Sequence, residues 1–244
     1  MDAISISGLV HHYNGANEPA VDHLNLIIKK GSFYGLLGPN GAGKTTTISI
    51  LCGILKANSG SVSILGKDWK SNSKEIKKSI GLVPQEIALY DTMTASENLK
   101  FFGQMLGLNN SKISKKTDEL MQAFGLAEHR GKLVQNYSGG MKRRVNLMVA
   151  LLHDPEILIL DEPTVGIDVH SRHMINTFLQ ELNAKGMTIV YTSHQLDETE
   201  KLCNEVCIID RGKLLIEGKT ADLVSDGQSL HNHFIELTGK QLRD

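Results

Sequence analysis

Apolar and polar positions alternate over short runs at the start of the chain, from Ile4 to Val10 and from Val21 to Ile28, with turn residues at Asn14-Gly15 and Lys30-Gly31. A period of two puts one face of each run against a core and the other toward water, so residues 1 to 35 are expected to form an antiparallel entry sheet. The texture then changes. Phe33 to Leu37, Ile157 to Leu160 and Thr188 to Tyr191 are almost wholly apolar, as strands covered on both faces of a parallel sheet must be. Stretches of helical spacing lie between them, among them Thr45 to Leu55 and Ser171 to Lys185, which makes the class α/β. From Gln85 to Ser138 the apolar residues recur at helical spacing (Leu99, Phe102, Met105, Leu106; Leu120, Met121, Phe124) with no strand pattern. The expected organisation is one domain: residues 1–85 and 138–244 form the core with its antiparallel β subdomain, and residues 86–137 form an inserted helical subdomain.

Composition narrows the function classes without naming one. The 244 residues carry 26 Lys plus Arg against 27 Asp plus Glu, a net charge of −1, so no overall basic field tracks nucleic acid. The longest unbroken apolar stretch, Leu147 to Leu152, is far short of the roughly 20 residues that cross a bilayer as a helix. Met1 to Val10 has neither a basic leader nor a long apolar run, so no secretory signal is expected and the chain should stay in the cytosol. Cys52, Cys203 and Cys207 are odd in number and lack metal-site spacing, which fits reduced structural thiols. The lysines at 67, 70, 74, 77 and 78, diluted by Asp68 and Glu75, read as a solvated face. His11-His12 and the pair His231 and His233 lack further ligands nearby and are discounted as metal sites.

The strongest chemical signal is Gly38-Pro39-Asn40-Gly41-Ala42-Gly43-Lys44-Thr45, which fits GxxxxGK[ST] between an expected strand and an expected helix. Glycines let the backbone turn its N–H groups inward, and the following helix adds its positive end, so a polyphosphate is held by many weak donors. Lys44 would reach the β- and γ-phosphates, and the Thr45 hydroxyl would ligate Mg²⁺. The core is therefore expected to be a P-loop NTPase core with a mostly parallel sheet.

A second element, Ile157 to Pro163, is an apolar strand ending in Asp161 and Glu162. Charge at the carboxyl end of a buried strand stands where open α/β sheets bind ligands. Asp161 would orient Mg²⁺ or its water, and Glu162 is the candidate general base for an attacking water. Ser138-Gly139-Gly140 precedes an expected helix running to about Leu152, and reads equally as an ordinary cap or as a cradle for a second anion.

In their order along the chain, these elements resemble the nucleotide-binding subunit of ABC transporters over essentially the whole sequence: Tyr13, the Walker A loop from Gly38 to Thr45, Gln85 in Gly81-Leu82-Val83-Pro84-Gln85, the signature Ser138 to Gly140, the Walker B acids Asp161 and Glu162, Asp168 after Gly166-Ile167, and His194 after Tyr191-Thr192-Ser193. The resemblance implies ATP held by the loop through Thr46, with Tyr13 stacked on adenine and Mg²⁺ held by Thr45, Gln85 and Asp161. It implies catalysis by Glu162 with Lys44, Gln85 and His194, the last on the γ-phosphate, and Gln85 coupling the metal to a membrane partner. Two such subunits, identical or related, would pack head to tail, so that Ser138, Gly139, Gly140 and Asp168 of one close over ATP on the other. The partner implied is a separate membrane permease, with the chain on the cytoplasmic face of the membrane, and no nucleic acid.

Departures accompany the resemblance. Met141 and Tyr137 stand where many members carry Gln and Leu, and a methionine cannot hydrogen-bond a ribose; Val169 replaces the usual proline after Asp168. The signature variant, Thr192-Ser193-His194, Glu198-Thr199-Glu200 and the tail from Phe234 to Lys240 followed by Leu242-Arg243-Asp244 resemble the bacterial exporter branch whose membrane subunit is a separate polypeptide. Alternatives left open are a soluble ABC-type ATPase such as one serving cluster assembly, an importer subunit, and a phosphate-loop kinase for a small metabolite.

Overall fold

The structure, a computed structural model, describes residues 1–225 and 228–239. The chain begins with strands β1 (Asp2–His11), β2 (Val21–Lys29) and β3 (Phe33–Leu37), helix α1 (Lys44–Leu51), strands β4 (Ser59–Ile64) and β5 (Lys67–Asp68), helix α2 (Trp69–Ser79) and strand β6 (Ile80–Val83). Helices α3 (Ala95–Met105), α4 (Asn110–Ala123) and α5 (Gly139–Leu151) follow, then β7 (Ile157–Asp161), α6 (Val169–Ala184), β8 (Thr188–Thr192) and α7 (Leu196–Leu202). The described part closes with β9 (Glu205–Asp210), β10 (Lys213–Lys219), α8 (Thr220–Leu223) and α9 (Leu230–Thr238). Of the tail residues invoked above, Lys240 to Asp244 lie outside the described residues.

Two sheets result. The first, ordered β2-β1-β4-β5, is antiparallel. The second, ordered β10-β9-β3-β8-β7-β6, is parallel from β9 through β6, with only β10 antiparallel at its edge. The apolar runs Phe33–Leu37, Ile157–Asp161 and Thr188–Thr192 are buried at every position. Alternation sends Leu158 and Leu160 into one apolar cluster and Ile157 and Ile159 into another, so the parallel sheet separates two cores. The cluster holding Ile157 also takes Ile4, Leu9, Leu24 and Ile28, which fixes the antiparallel sheet against the parallel one.

β4, β5, β6, β9 and β10 are not among the strands the hydrophobic pattern predicts. Ser59–Ile64 is polar but for the buried Val62 and Ile64, Lys67–Asp68 is polar and exposed, and Lys213–Lys219 is an edge strand exposed at alternate positions. Strand β4 is defined by its long-range pairing with β1, whereas β5 and β10 close short hairpins on β4 and β9, and local propensity alone marks none of the three. Helix α1 ends at Leu51 rather than Leu55, because Gly53 (φ +66°) turns the chain out and leaves room for the Trp69 indole.

Residues 86–137 contain α3, α4 and two short 3-10 turns, with one isolated bridge from Thr94 to Leu133. Helix α3 starts in a capping box, where the Thr94 hydroxyl accepts from Glu97 N and the Glu97 carboxylate accepts from Thr94 N. Asn109 caps α4 by accepting from Lys112 N. Leu99, Leu120, Met121 and Phe124 face the core cluster that holds Leu158. Phe124 packs on Phe178 of α6 with ring centroids 4.2 Å apart. Helix α2 buries only Ile76, and Lys67 pairs with Glu75 at 2.6 Å, so the lysine-rich stretch is a solvated face.

Phe124→Ala is therefore expected to lower the unfolding free energy by about 3–5 kcal/mol, measured by urea titration; a loss below about 1 kcal/mol would show that the helical segment is not anchored through this ring.

Candidate active site

Parallel pairing lines up strand ends. Leu36 of β3 and Asp161 of β7 are both paired with Thr192 of β8, and Val83 of β6 is paired with Leu160. The segments that follow these strands, beginning at Gly38, Ser193, Glu162 and Pro84, therefore emerge along one edge of the sheet. Strands 4.7–4.9 Å apart bring residues remote in sequence within reach of one another.

The loop from Gly38 to Gly43 turns sharply into α1. Gly43 has φ +102°, and a side chain there would strike the carbonyl oxygen of Ala20; a Cβ at Gly38 would strike that of Ile209. Those contacts, with Gly212 N donating to Ala42 O and Asp22 N to Gly212 O, both at 2.9 Å, seat the loop between the two sheets. Asn40, Gly41 and Thr45 are exposed, Pro39 is half-buried, and Ala42, Thr46 and Lys44 are buried. The Lys44 ammonium donates to Gly38 O at 2.7 Å and Pro39 O at 3.1 Å, so it lies within the curl of its own loop. Burial holds it below the usual lysine range, while the charges of Glu162 and Asp161 act in the opposite sense.

The acids are buried. Asp161 accepts from the Thr192 hydroxyl at 2.7 Å, and the same hydroxyl accepts from Glu162 N at 3.0 Å. Glu162 has φ +47°, a left-handed conformation that costs a non-glycine residue about 1–3 kcal/mol and persists only where its surroundings fix it. Its Oε2 lies 3.3 Å from Gln85 Nε2, which donates to it, and 3.3 Å from His194 Nδ1. One carboxylate oxygen thus gathers the loop after β6 and the segment after β8.

Tyr13 stands beside the loop, about half exposed, with its hydroxyl 3.1 Å from that of Thr46 and its ring edge-on to His11. A second group forms elsewhere on the surface. Ser138 caps α5, accepting from Met141 N at 3.3 Å, and Ser138 and Gly139 are exposed. Gly140 is buried where a Cβ would strike Ser171, next to Asp168. Asp168 caps α6 by accepting from Ser171 N at 2.8 Å, and that bond holds its carboxyl below the usual range. The Tyr137 side chain is buried with its hydroxyl donating to His129 O at 2.7 Å, and Val169 is 78% exposed.

Two features escape the sequence reading. Thr192 belongs to a noted run, yet its role follows only from its place opposite Asp161. Arg143 of α5 is buried and donates to Pro84 O at 3.0 Å, while Asn146 accepts from Ala88 N at 3.3 Å, so this helix braces the loop carrying Gln85.

The residues expected to hold Mg²⁺ offer an exposed Thr45 hydroxyl, the buried Asp161 carboxylate and the Gln85 amide, hard oxygens with one buried charge. Among the described residues no group of three His, Cys, Asp or Glu could hold a metal by itself. That sparse set suits Mg²⁺, which is commonly held by one or two carboxylates together with substrate phosphates. All three cysteines are free, and burial pushes the Cys52 and Cys207 thiols up to about 12 and Cys203 well above its usual value, which keeps them protonated. Among the described residues no helix is long and apolar enough to cross a membrane.

The family pattern described as ABC transporter matches residues 21–165. The linearmycin resistance ATP-binding protein of Bacillus subtilis is 47% identical over 205 residues, 84% of this chain and 66% of the relative. The Nod factor export ATP-binding protein I of Ralstonia nicotianae is 37% identical, covering 91% of this chain and 68% of its own. The daunorubicin/doxorubicin resistance ATP-binding protein of Streptomyces peucetius is also 37% identical, covering 91% and 67%. The chain spans about two thirds of the length of these relatives. A solved ATP-binding subunit of an ABC transporter superposes with TM-score 0.86 at 26% identity, covering 97% of this chain and 99% of that one. A dimeric ATP-binding cassette in a post-hydrolysis state bound to ADP and phosphate gives 0.80 at 25%, covering 89% and 98%.

Thr192→Val leaves one buried acceptor and one buried donor without their partner. The unfolding free energy is expected to fall by about 1–3 kcal/mol; an unchanged urea midpoint would show that this hydroxyl does not hold the two acids.

Proposed function

The chain belongs to the ABC transporter family, and from that premise we propose that it is the ATP-hydrolysing subunit of an export system whose membrane-spanning part is a separate polypeptide. The observation that carries the reading is the gathering of Lys44, Asp161, Glu162, Gln85 and His194 at one edge of the parallel sheet. Relatives named for Nod factor export and for drug or antibiotic resistance support the outward direction.

In this reading the backbone N–H groups from Gly41 to Thr46 and the N-terminal end of α1 bind the phosphates, and Lys44 leaves Gly38 O and Pro39 O to meet the β- and γ-oxygens. Thr45, Asp161 and Gln85 would hold Mg²⁺, which when bound neutralises charge on the phosphates. Glu162 takes a proton from the attacking water. The contacts of Gln85 and His194 with its Oε2 orient that carboxylate, and His194 is also placed to approach the γ-phosphate. Tyr13 is the candidate platform for adenine, its hydroxyl tied to Thr46. Mg²⁺ dependence and coupling to transport belong to the proposal.

Ser138 and Gly139 are exposed and, with Asp168, form a separate surface of the chain. That exposure, and the likeness to a dimeric cassette, support head-to-tail pairing in which this surface of one copy closes over ATP on the other. The Gln85 loop and helical segment would then pass the closure to the permease, placing the chain on the cytoplasmic face of the membrane.

Glu162→Gln is expected to bind ATP, form an ATP-stabilised dimer and lose roughly 10²–10⁴-fold in hydrolysis rate; hydrolysis at the wild-type rate overturns the assignment of the base. Lys44→Ala is expected to weaken nucleotide binding by at least about tenfold, read by calorimetric titration. Unchanged affinity would remove the lysine from the phosphate site.

A further inference from the structure

Glu198, on α7, receives three donors from three other segments. Its Oε2 accepts from the Thr164 and Tyr191 hydroxyls, each at 3.0 Å, and its Oε1 accepts from Asn176 Nδ2 at 2.5 Å. Thr164 and Tyr191 are fully buried and their hydroxyls lie 3.1 Å apart. Burial, with the charge of Glu198, pushes the Tyr191 phenol well above its usual value, so it remains a donor. A carboxylate offers acceptors only, which is what three converging donors, two of them buried, require.

Two of the donors, and Glu198 itself, lead to the reacting surface. Thr164 is two residues beyond Glu162, in the turn that forces that residue to φ +47° and is closed by Val165 N donating to Glu162 O at 3.4 Å. Asn176 is on α6, the helix capped by Asp168. Glu198 itself lies four residues after His194, on the helix that follows it. We propose that Glu198 is a positioning residue for hydrolysis: by fixing the turn after Glu162 to α6 and α7 at once, it holds Glu162, His194 and Asp168 in one mutual arrangement. None of the hydrogen bonds of this cluster reaches the phosphate loop, so it governs turnover and leaves ATP capture alone. This rests on Glu162 being the base.

The test measures steady-state hydrolysis, equilibrium ATP affinity and thermal unfolding for wild type, Glu198→Ala, Glu198→Gln, Thr164→Val and Glu162→Gln. Glu198→Ala is expected to lower kcat by about tenfold to a hundredfold, as displacements near 1 Å do, with ATP affinity within about twofold. Glu198→Gln should recover most of kcat, because the Gln oxygen still accepts from both hydroxyls and Asn176, whose buried Oδ1 has no partner, can turn its amide to receive the new N–H. Thr164→Val should lower kcat, and combining it with Glu198→Ala should add little. A Glu198→Ala enzyme whose kcat per folded molecule equals wild type overturns the proposal even if its unfolding temperature falls. So does a Gln variant as slow as the Ala variant. Glu162→Gln separates the two readings: if it hydrolyses normally, the base assignment has failed; if it is inactive while Glu198→Ala is normal, only the positioning role has.

Discussion

Hydrogen bonding of β3, β8 and β7 as parallel neighbours in a fixed register is the constraint from which the rest of the site follows. With Leu36 and Asp161 both opposite Thr192, the turns beginning at Gly38 and Glu162 leave the sheet at one level, on either side of the segment that follows β8. A slip by one residue would send Asp161 to the other face of its strand and exchange the two apolar clusters, since alternate side chains point to opposite sides. The complete burial of Leu158, Ile159 and Leu160 makes such a slip costly, so core packing and site geometry are one problem with one solution.

The same register sets the electrostatics. Lys44, Asp161 and Glu162 are all buried, and isolated charges so placed would be strongly disfavoured. The lysine lies in the field of both acids and bonds to loop carbonyls; the acids are met by the Thr192 hydroxyl, by Gln85 and by His194. Every one of these partners is itself positioned by a strand end or the segment after it. The candidate site is therefore an assembly of mutually compensating groups in which each buried charge has a partner.

Helix α5 carries this geometry outward. Its start presents Ser138 and Gly139 to solvent, its first turns hold the Gln85 segment through Arg143 and Asn146, and Lys142 pairs with Asp91 at 2.7 Å. A displacement of α5 would move Gln85, and with it a contact to Glu162. The helical segment is tied to the same region through Asn98, which donates to Tyr90 O and accepts from Tyr90 N. The exposed surface and the buried acids are thus linked by a short run of hydrogen bonds rather than by proximity.

The parts of the candidate site were legible in the chain because each is local. A glycine loop ahead of a helix, an apolar run ending in Asp161 and Glu162, and a Ser-Gly-Gly cap declare themselves within a few residues, since each depends on what adjacent backbone and side chains do to one another. The buried strands β3, β7 and β8 were equally plain, their burial on both faces leaving no polar position. Strand β4 was not, because its identity comes from β1, distant in sequence, and β5 and β10 take form only as hairpin arms laid on β4 and β9. Only the tertiary structure decided that Gln85 and His194 meet on one oxygen of Glu162, that Thr192 joins the two acids, that Arg143 reaches Pro84, and that Glu198 gathers Thr164, Tyr191 and Asn176. Those contacts join residues 7 to 77 positions apart, and strand order and register, which no short stretch of sequence carries, determine which of them can form.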